Sequence, residues 1–258
     1  MRLEGKTAIV TGGWRGIGEA ISMALAREGC SVAIPDVIVP NAEKVAAQIR
    51  GLGREALAMH CDITDPQSVE NAFVQVDQRW GKLDILVNNA GVAHSDLVVK
   101  TSLETWRRML DVNLTGTFLC SQAALRRMLP RKSGRIISIA SVAGQIGVRY
   151  AGAYTASKHG VLGLMRTIAL ETATSGITAN AICPSWVQAP LLGQALSTIS
   201  EKTTMTQEQA RDNLAAETPQ KRIIEPDEIA AAVVWLATDD ARGLTGQAIS
   251  LSCGQVMH

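Results

Sequence analysis

Short apolar runs alternate with longer stretches of helical period along the chain, and this alternation limits the possible folds more than any other feature of the sequence. The runs Thr7–Val10, Ser31–Ile34, Ala56–Met59, Ile85–Val87, Arg135–Ile139, Thr178–Ile182 and Ala248–Leu251 have the length and apolar content of buried strands. Helical period runs between them, near 16–28, 41–51, 66–79, 103–129, 153–174 and 226–237. A strand that returns parallel to its neighbour needs a crossover of about this length. The order therefore predicts an α/β fold, a doubly wound parallel sheet of about seven strands with helices on both faces. Asp65-Pro66 and Glu225-Pro226-Asp227 read as helix starts, and Gly29 as the end of the first helix. The stretch 190–219 breaks the alternation with polar, helix-capable sequence, and an insertion of that length is expected to be a substrate lid.

Composition excludes several classes. A length of 258 residues suits a single domain spanning 1–258, and 47% hydrophobic with 19% charged residues leaves too little charge for a disordered chain. A formal net charge of +1 gives no pull toward nucleic acid or an anionic membrane, and no apolar run reaches the length of a membrane span. Cys30, Cys61, Cys120, Cys183 and Cys253 are odd in number and scattered, which argues for a reducing compartment over a disulfide framework. With no signal-peptide pattern at the start, the expected location is the cytoplasm. His60, His94, His159 and His258 lack metal-ligand spacing, so no metal site is expected.

After the first strand comes Thr11-Gly-Gly-Trp-Arg-Gly-Ile-Gly18, leading into a helix. Glycines there let the backbone approach a pyrophosphate seated on the positive end of the helix, which makes the fold Rossmann-type. Asp36, at the end of the second strand, can accept both ribose hydroxyls of NAD and would repel the 2′-phosphate of NADP. Arg15 argues the other way, as a cation in the phosphate loop. The aspartate is weighted more heavily, because an exposed arginine can turn to solvent. The expected cofactor is NAD.

Tyr154 and Lys158 stand one helical turn apart, with Ser141 upstream. A phenol titrates near ~10, and a neighbouring ammonium favours its phenolate form, so the pair is expected to pass protons near neutral pH.

Taken together and in order, these motifs resemble the short-chain dehydrogenase/reductase family over essentially the whole length. The matching residues are the glycine loop, Asp62, Asn88-Asn89-Ala90-Gly91, Asn113, Ser141 and Tyr154-x-x-x-Lys158. The resemblance implies NAD(P)-dependent interconversion of an alcohol and a ketone or aldehyde. It implies that Gly12, Trp14, Arg15, Gly16, Ile17 and Gly18 form the phosphate loop and that Asp62 and Ile63 meet the adenine. Asn89, Ala90 and Gly91 would line the cofactor channel, and Pro184 and Val187 would border the nicotinamide. Tyr154 would be the acid/base, and Ser141 would hydrogen-bond the reacting oxygen. Lys158 would bind the ribose and lower the phenol pKa, while Asn113 would hold a water in a proton relay. A homotetramer built partly on the long helices 103–129 and 153–174 is also implied.

The sequence departs from the family after the sixth strand, where Pro184-Ser185-Trp186-Val187-Gln188-Ala189-Pro190 replaces the usual Pro-Gly and a later threonine. The ending Leu251-Ser-Cys-Gly-Gln255 also replaces a common Val-Asp-Gly-Gly. The run Glu171–Pro184 looks like the 3-hydroxybutyrate dehydrogenase branch, but that branch grips a carboxylate with Gln, His and Lys where this chain has Ala93, Ala143 and Ala151. A short hydroxy acid would lack its partners here. The expected pocket, drawn from His94, Ser141, Val142, Gln145, Ile146, Val148, Trp186, Leu191 and Leu192, is mostly apolar and suits a neutral secondary alcohol or ketone. Two alternatives stay open. One is an NADPH-dependent 3-oxoacyl carrier-protein reductase, using the basic cluster Arg126, Arg127, Arg131 and Lys132. The other is a non-catalytic dinucleotide-binding regulator.

Overall fold

A computed structural model describes residues 1–257; His258 lies outside the described residues. The strands are β1 (Thr7–Val10), β2 (Ser31–Asp36), β3 (Ala56–His60), β4 (Ile85–Asn88), β5 (Gly134–Ile139), β6 (Ile177–Pro184) and β7 (Ala248–Leu251). The helices are α1 (Gly16–Arg27), α2 (Val39–Gly51), α3 (Pro66–Trp80), α4 (Leu103–Leu110), α5 (Gly116–Met128), α6 (Gly152–Glu171), α7 (Pro190–Lys202), α8 (Gln207–Ala216) and α9 (Pro226–Ala237). The strands form one parallel sheet in the order β3-β2-β1-β4-β5-β6-β7. This is the Rossmann-type doubly wound sheet that the strand-helix alternation predicts. The chain winds outward from β1 through β2 and β3, crosses to the other side of β1, and continues through β4 to β7.

Strand side chains alternate between two cores because successive Cβ atoms point to opposite faces. On one face Ala8, Val10, Val32, Ile34, Ile85 and Val87 pack under α1, α2 and α9. On the other, Ala33, Ile9, Leu86, Ile136 and Ala179 form one row across five strands beneath α3, α5 and α6. A sheet covered on both faces has no polar side, which is why its strands read as continuous apolar runs.

Helix starts follow the local signals. Asp65 accepts the N–H groups of Gln67 and Ser68 ahead of α3, and Glu225 with Glu228 forms a reciprocal cap on α9. Gly29, at φ +104°, takes the chain out of α1 just after its last turn.

The structure differs from the sequence reading in the region 103–129. The chain there is not one helix but α4, a π-helical stretch at Asp111–Thr115, and α5. Neither proline nor capping chemistry marks that break, so periodicity alone runs through it. The stretch 190–219 folds as the hairpin α7–α8 with its own small core of Leu192, Leu196, Ala210, Leu214 and Ile223.

One buried ion pair anchors the sheet's amino-terminal edge. Asp84, 4% exposed, precedes β4 and accepts the Thr7 N–H at 3.0 Å and Arg131 Nη2 at 2.6 Å. Burial alone would raise its pKa, but the Arg131 and Thr7 hydrogen bonds outweigh this and hold the carboxyl below its usual range. Removing it leaves a buried N–H unsatisfied and an arginine unpaired. Asp84→Ala is expected to lower the urea unfolding free energy by about 2–4 kcal/mol at neutral pH. Because the native pKa is depressed, this advantage persists above the ordinary carboxylate pKa of ~3.9 and is lost as pH falls through the native value. A difference that grew on acidification would contradict the assignment.

Candidate active site

The carboxyl ends of β1 and β4 are joined by hydrogen bonds rather than by packing alone. Thr11 Oγ1 accepts the N–H groups of Asn89 at 3.0 Å and Ala90 at 3.1 Å. Asn89 Nδ2 donates back to the carbonyls of Thr11 at 2.9 Å and Gly12 at 3.1 Å. This frame holds the glycine loop. Gly12 and Gly16 have φ of +64° and +54°, a region costly for any residue with a Cβ. A Cβ on Gly18 would stand 2.4 Å from the Gly12 carbonyl oxygen and 2.5 Å from Asn89 Nδ2. The loop therefore closes only with glycine there. Ser22 Oγ braces it from below, donating to the Gly18 and Gly13 carbonyls at 2.8 and 3.2 Å.

The residues present fit a dinucleotide. Arg15 occupies the N-cap of α1 with extended backbone and no side-chain cap bond, so no side chain caps the first N–H groups of the helix. Its guanidinium stacks 4.8 Å above the Trp14 ring. Asp36 accepts the Ile38 N–H on Oδ1 at 2.8 Å, while its Oδ2 has no partner among the described residues. Asp62 Oδ1 accepts both the N–H and the hydroxyl of Thr64, at 2.9 and 2.7 Å, and these bonds hold its carboxyl below the usual range. Ile63 follows directly in the same turn. Its side chain is 9% exposed and wedged against Gly116, where an added Cβ would meet Ile63 Cδ1 at 2.6 Å. Only its backbone is left to face a cofactor.

The candidate acid–base residues come together from three segments: the π-helical stretch, the chain after β5, and α6. Ser141, after β5, accepts the Ala143 N–H at 3.1 Å, which leaves its own proton to donate. Tyr154 and Lys158 lie on the first turns of α6. Lys158, 6% exposed, donates to the Ile139 carbonyl at 2.9 Å, with Nζ 5.6 Å from the Tyr154 ring centroid. Burial drives its ammonium down to about 8. Burial also raises the Tyr154 phenol, and the Ser141 hydroxyl opposes that rise. In the protein alone, burial is thus the largest influence on the phenol and Ser141 the one that opposes it. The Cys183 thiol, buried at the end of β6, is pushed up to about 11 by burial and stays protonated at neutral pH.

Asn113 sits in the π-helical stretch and is 1% exposed. Its Oδ1 accepts the Val92 N–H at 2.9 Å, and its Nδ2 donates to the Val92 carbonyl at 2.9 Å and to Ser157 Oγ at 3.1 Å. Ser157 in turn donates to the Tyr154 carbonyl at 2.7 Å. The Asn113 side chain clamps the loop after β4 to the start of α6. Val92, Ser157 and the Ile139 carbonyl were missed by sequence reasoning; two act through backbone atoms, which carry no side-chain signature.

Substrate-side residues divide. His94 is exposed and Leu191 is 39% exposed, on either side of the region where the α7–α8 hairpin reaches the loop after β4 through Lys202 Nζ and the Ser95 carbonyl. Gln145 is turned toward β7, donating to the Ala248 carbonyl at 3.4 Å and accepting Ser250 Oγ at 3.0 Å. Trp186 packs on the core of the α7–α8 hairpin, and its Nε1 donates to Glu217 at 3.3 Å. These two expected lining residues are thus held by structural partners. Pro184 is buried at the end of β6, and Val187 forms a bridge with Ile224. Ala189 and Pro190 rest on Gly16, where an added Cβ would lie 2.8 Å from Pro190 Cδ. The helix pair therefore begins directly on the phosphate loop.

Two members of the basic cluster have close internal partners. Arg127 pairs with Glu70 and Asp77 at 2.8 and 2.7 Å, and Arg131 pairs with Asp84. A groove of about 410 Å³ beside α4, lined by Thr64, Leu103, Glu104, Arg107, Arg108, Asp111 and Val112, shares no residue with the acid–base set. No cluster of metal-ligating side chains occurs among the described residues, and no helix is long and apolar enough to cross a membrane.

Comparison with known proteins agrees with this geometry. Residues 12–255 match a family model described as enoyl-(acyl carrier protein) reductase. The chain is 36% identical to a 3-oxoacyl-[acyl-carrier-protein] reductase of Synechocystis sp. over 257 residues, covering 99% of this chain and 98% of that protein. It is 35% identical to a D-beta-hydroxybutyrate dehydrogenase of Rhizobium meliloti over 252 residues, covering 96% and 98%. A crystal structure of a point variant of actinorhodin polyketide ketoreductase with NADPH superposes with a TM-score of 0.94 at 35% identity, covering 97% of each chain. The chain therefore belongs to the short-chain dehydrogenase/reductase family, as an oxidoreductase acting on hydroxyl or keto groups with the NAD(P) dinucleotide typical of that family.

Proposed function

We propose that the protein is an NAD-dependent oxidoreductase that interconverts a secondary alcohol and a ketone, with Tyr154 as the acid/base. The observation that carries this reading is the convergence of Ser141, Tyr154 and a Lys158 ammonium held on the Ile139 carbonyl. The nicotinamide, when bound, supplies or accepts the hydride. In reduction Tyr154 gives its proton to the carbonyl oxygen, and Ser141 steadies that oxygen with a hydrogen bond. In oxidation the phenolate takes the hydroxyl proton. Lys158, Asp36, Asn89, Gly91 and the glycine loop would hold the dinucleotide, and the α7–α8 hairpin would act as a lid over the substrate within a single catalytic domain.

Asp36 supports NAD, because its Oδ2, without a partner among the described residues, would be free to accept a ribose hydroxyl and would repel a 2′-phosphate. A 3-oxoacyl carrier-protein reductase using NADPH is the second reading, favoured by the Synechocystis relative and the NADPH-bound ketoreductase. The paired state of Arg127 and Arg131 weakens it, since those cations already have internal partners. A non-catalytic regulator is disfavoured by the intact acid–base set.

Exposed Leu103, Trp106 and Phe118 on α4 and α5, with Leu170 on α6, support a homotetramer that covers them. A stable monomer in sedimentation would remove that assembly. Five free, buried cysteines support a reducing compartment, the cytoplasm.

Tyr154→Phe removes only the phenol oxygen and is expected to cut kcat/KM at least a hundredfold across a panel of secondary alcohols and ketones. Because burial keeps the phenol protonated, wild-type alcohol oxidation should rise about tenfold per pH unit across the neutral range, while ketone reduction stays flat and then falls in alkali. Oxidation that is flat with pH, or a Phe variant that retains activity, contradicts the mechanism.

Titration of the pure protein is expected to give at least tenfold tighter binding of NADH than of NADPH. A preference for NADPH overturns the Asp36 argument and favours the carrier-protein reading.

Lys158 offers a check that needs no substrate. Its pKa is lowered by burial, so its desolvation penalty is fully present below about 8 and is relieved as pH climbs toward the unfolded value of 10.5. Wild-type stability to urea should therefore rise over that window relative to Lys158→Met. A parallel pH dependence of the two proteins would show that the ammonium is not buried.

A further inference from the structure

The short segment after β7 ties together both ends of the α7–α8 hairpin. After Leu251 the chain turns back through two consecutive left-handed residues, Cys253 at φ +51° and Gly254 at φ +85°. Cysteine rarely adopts that conformation, and here it is 7% exposed, held by its surroundings. The turn brings Gln255 onto Ser185, whose hydroxyl donates to Gln255 Oε1. It also sets Gly254 against Pro219, where an added Cβ would lie 3.1 Å from Pro219 Cγ, and lets the Cys253 carbonyl accept the Gln220 N–H at 3.2 Å. Ser185 lies in the loop leading from β6 into α7, while Pro219 and Gln220 lie on the chain leaving α8. The same two legs are paired to each other: Gln188 donates to the Ile224 carbonyl at 2.8 Å, and Ile224 donates to that of Trp186 at 2.9 Å.

Loop 185–189 is therefore held from two sides. Its backbone pairs with the outgoing leg and, through the Ser185 N–H at 3.1 Å, with the Leu251 carbonyl. Val187 packs into the core beneath it, and among the described residues the loop's one side-chain hydrogen bond outside the hairpin is the Ser185 hydroxyl on Gln255. That loop carries Val187 and places Ala189 and Pro190 on Gly16 of the phosphate loop. We infer that Gln255 is a positioning residue: through Ser185 it sets the loop that borders the nicotinamide end of the dinucleotide, and with it the root of the hairpin. This rests on the dinucleotide reading given above. Gln255 touches no reacting atom, so its loss should change cofactor affinity more than turnover.

The test compares wild type with Gln255→Leu, Gln255→Glu, Ser185→Ala and the Ser185→Ala/Gln255→Leu double variant. NADH binding is read by calorimetry, kinetics by the KM for NADH and the kcat with an active ketone, and loop order by hydrogen exchange at the Val187 and Gln188 amides without cofactor. Gln255→Leu and Ser185→Ala should each raise the Kd and KM for NADH three- to tenfold, the range of one lost hydrogen bond, with kcat changed less than twofold. The double variant should be no worse than either single one, and Gln255→Glu, which keeps an acceptor, should restore binding. Exchange at Val187 and Gln188 should quicken in Gln255→Leu while the sheet stays protected. Additive losses in the double variant, or unchanged Kd and exchange, would overturn the assignment. Should Gln255→Leu not fold, Ser185→Ala alone decides it by the same readouts. If wild type binds neither NADH nor NADPH, the dinucleotide reading fails, and the exchange measurement still shows whether Gln255 orders the loop.

Discussion

The hydrogen bonds between Thr11 and Asn89 join the carboxyl ends of β1 and β4 at the point where the sheet winding reverses. Crossovers leave these two neighbouring strands toward opposite sides of the sheet, so a crevice opens between them that no helix fills. The glycine loop, the Asn89–Gly91 turn and the start of α6 all border it. Asn89 donates into the loop that Gly18 must fit against, so the crevice has little freedom to relax. A rigid cradle of this kind suits a ligand held by backbone N–H groups, because those donors need no side-chain ordering when it arrives.

Behind the cradle, burial controls the acid–base chemistry. Lys158 is buried and Tyr154 half-buried, and each shifts toward its neutral form: the phenol upward, the ammonium downward. The two shifts share one cause although they have opposite signs. The Ser141 hydroxyl opposes the rise of the phenol. Lys158 keeps its place through the Ile139 carbonyl rather than through a counter-charge, leaving its other protons available toward Gly91 and the crevice.

Much of this was legible in the residues. The strands lay where continuous apolar runs lay, because a sheet buried on both faces needs apolar side chains at every position. Asp65 and Glu225 marked helix starts through local hydrogen bonds that depend only on near neighbours. The break between α4 and α5 was not legible, since the apolar period continues through Asp111–Thr115 while the backbone changes its hydrogen-bond spacing. Gln145 and Trp186 were placed in a substrate wall by their position after motif residues, yet Gln145 finds β7 and Trp186 finds the hairpin core. Arg127 and Arg131 looked like a docking surface until α3 and the β4 approach supplied carboxylates to them.

By itself the sequence determined the strand and helix order, the glycine turn, and the candidates for proton transfer, because each depends on a residue's own chemistry or on neighbours within one turn. Tertiary structure alone decided what those residues do with their remaining valences. Asn113 became a clamp on Val92, Asp84 became the anchor of Arg131, and Gln255 came to rest on Ser185. Such pairings join segments far apart in the chain. They exist only once the sheet has brought its strand ends to common edges, and the same packing removes the water that would otherwise have set the charge on Tyr154 and Lys158.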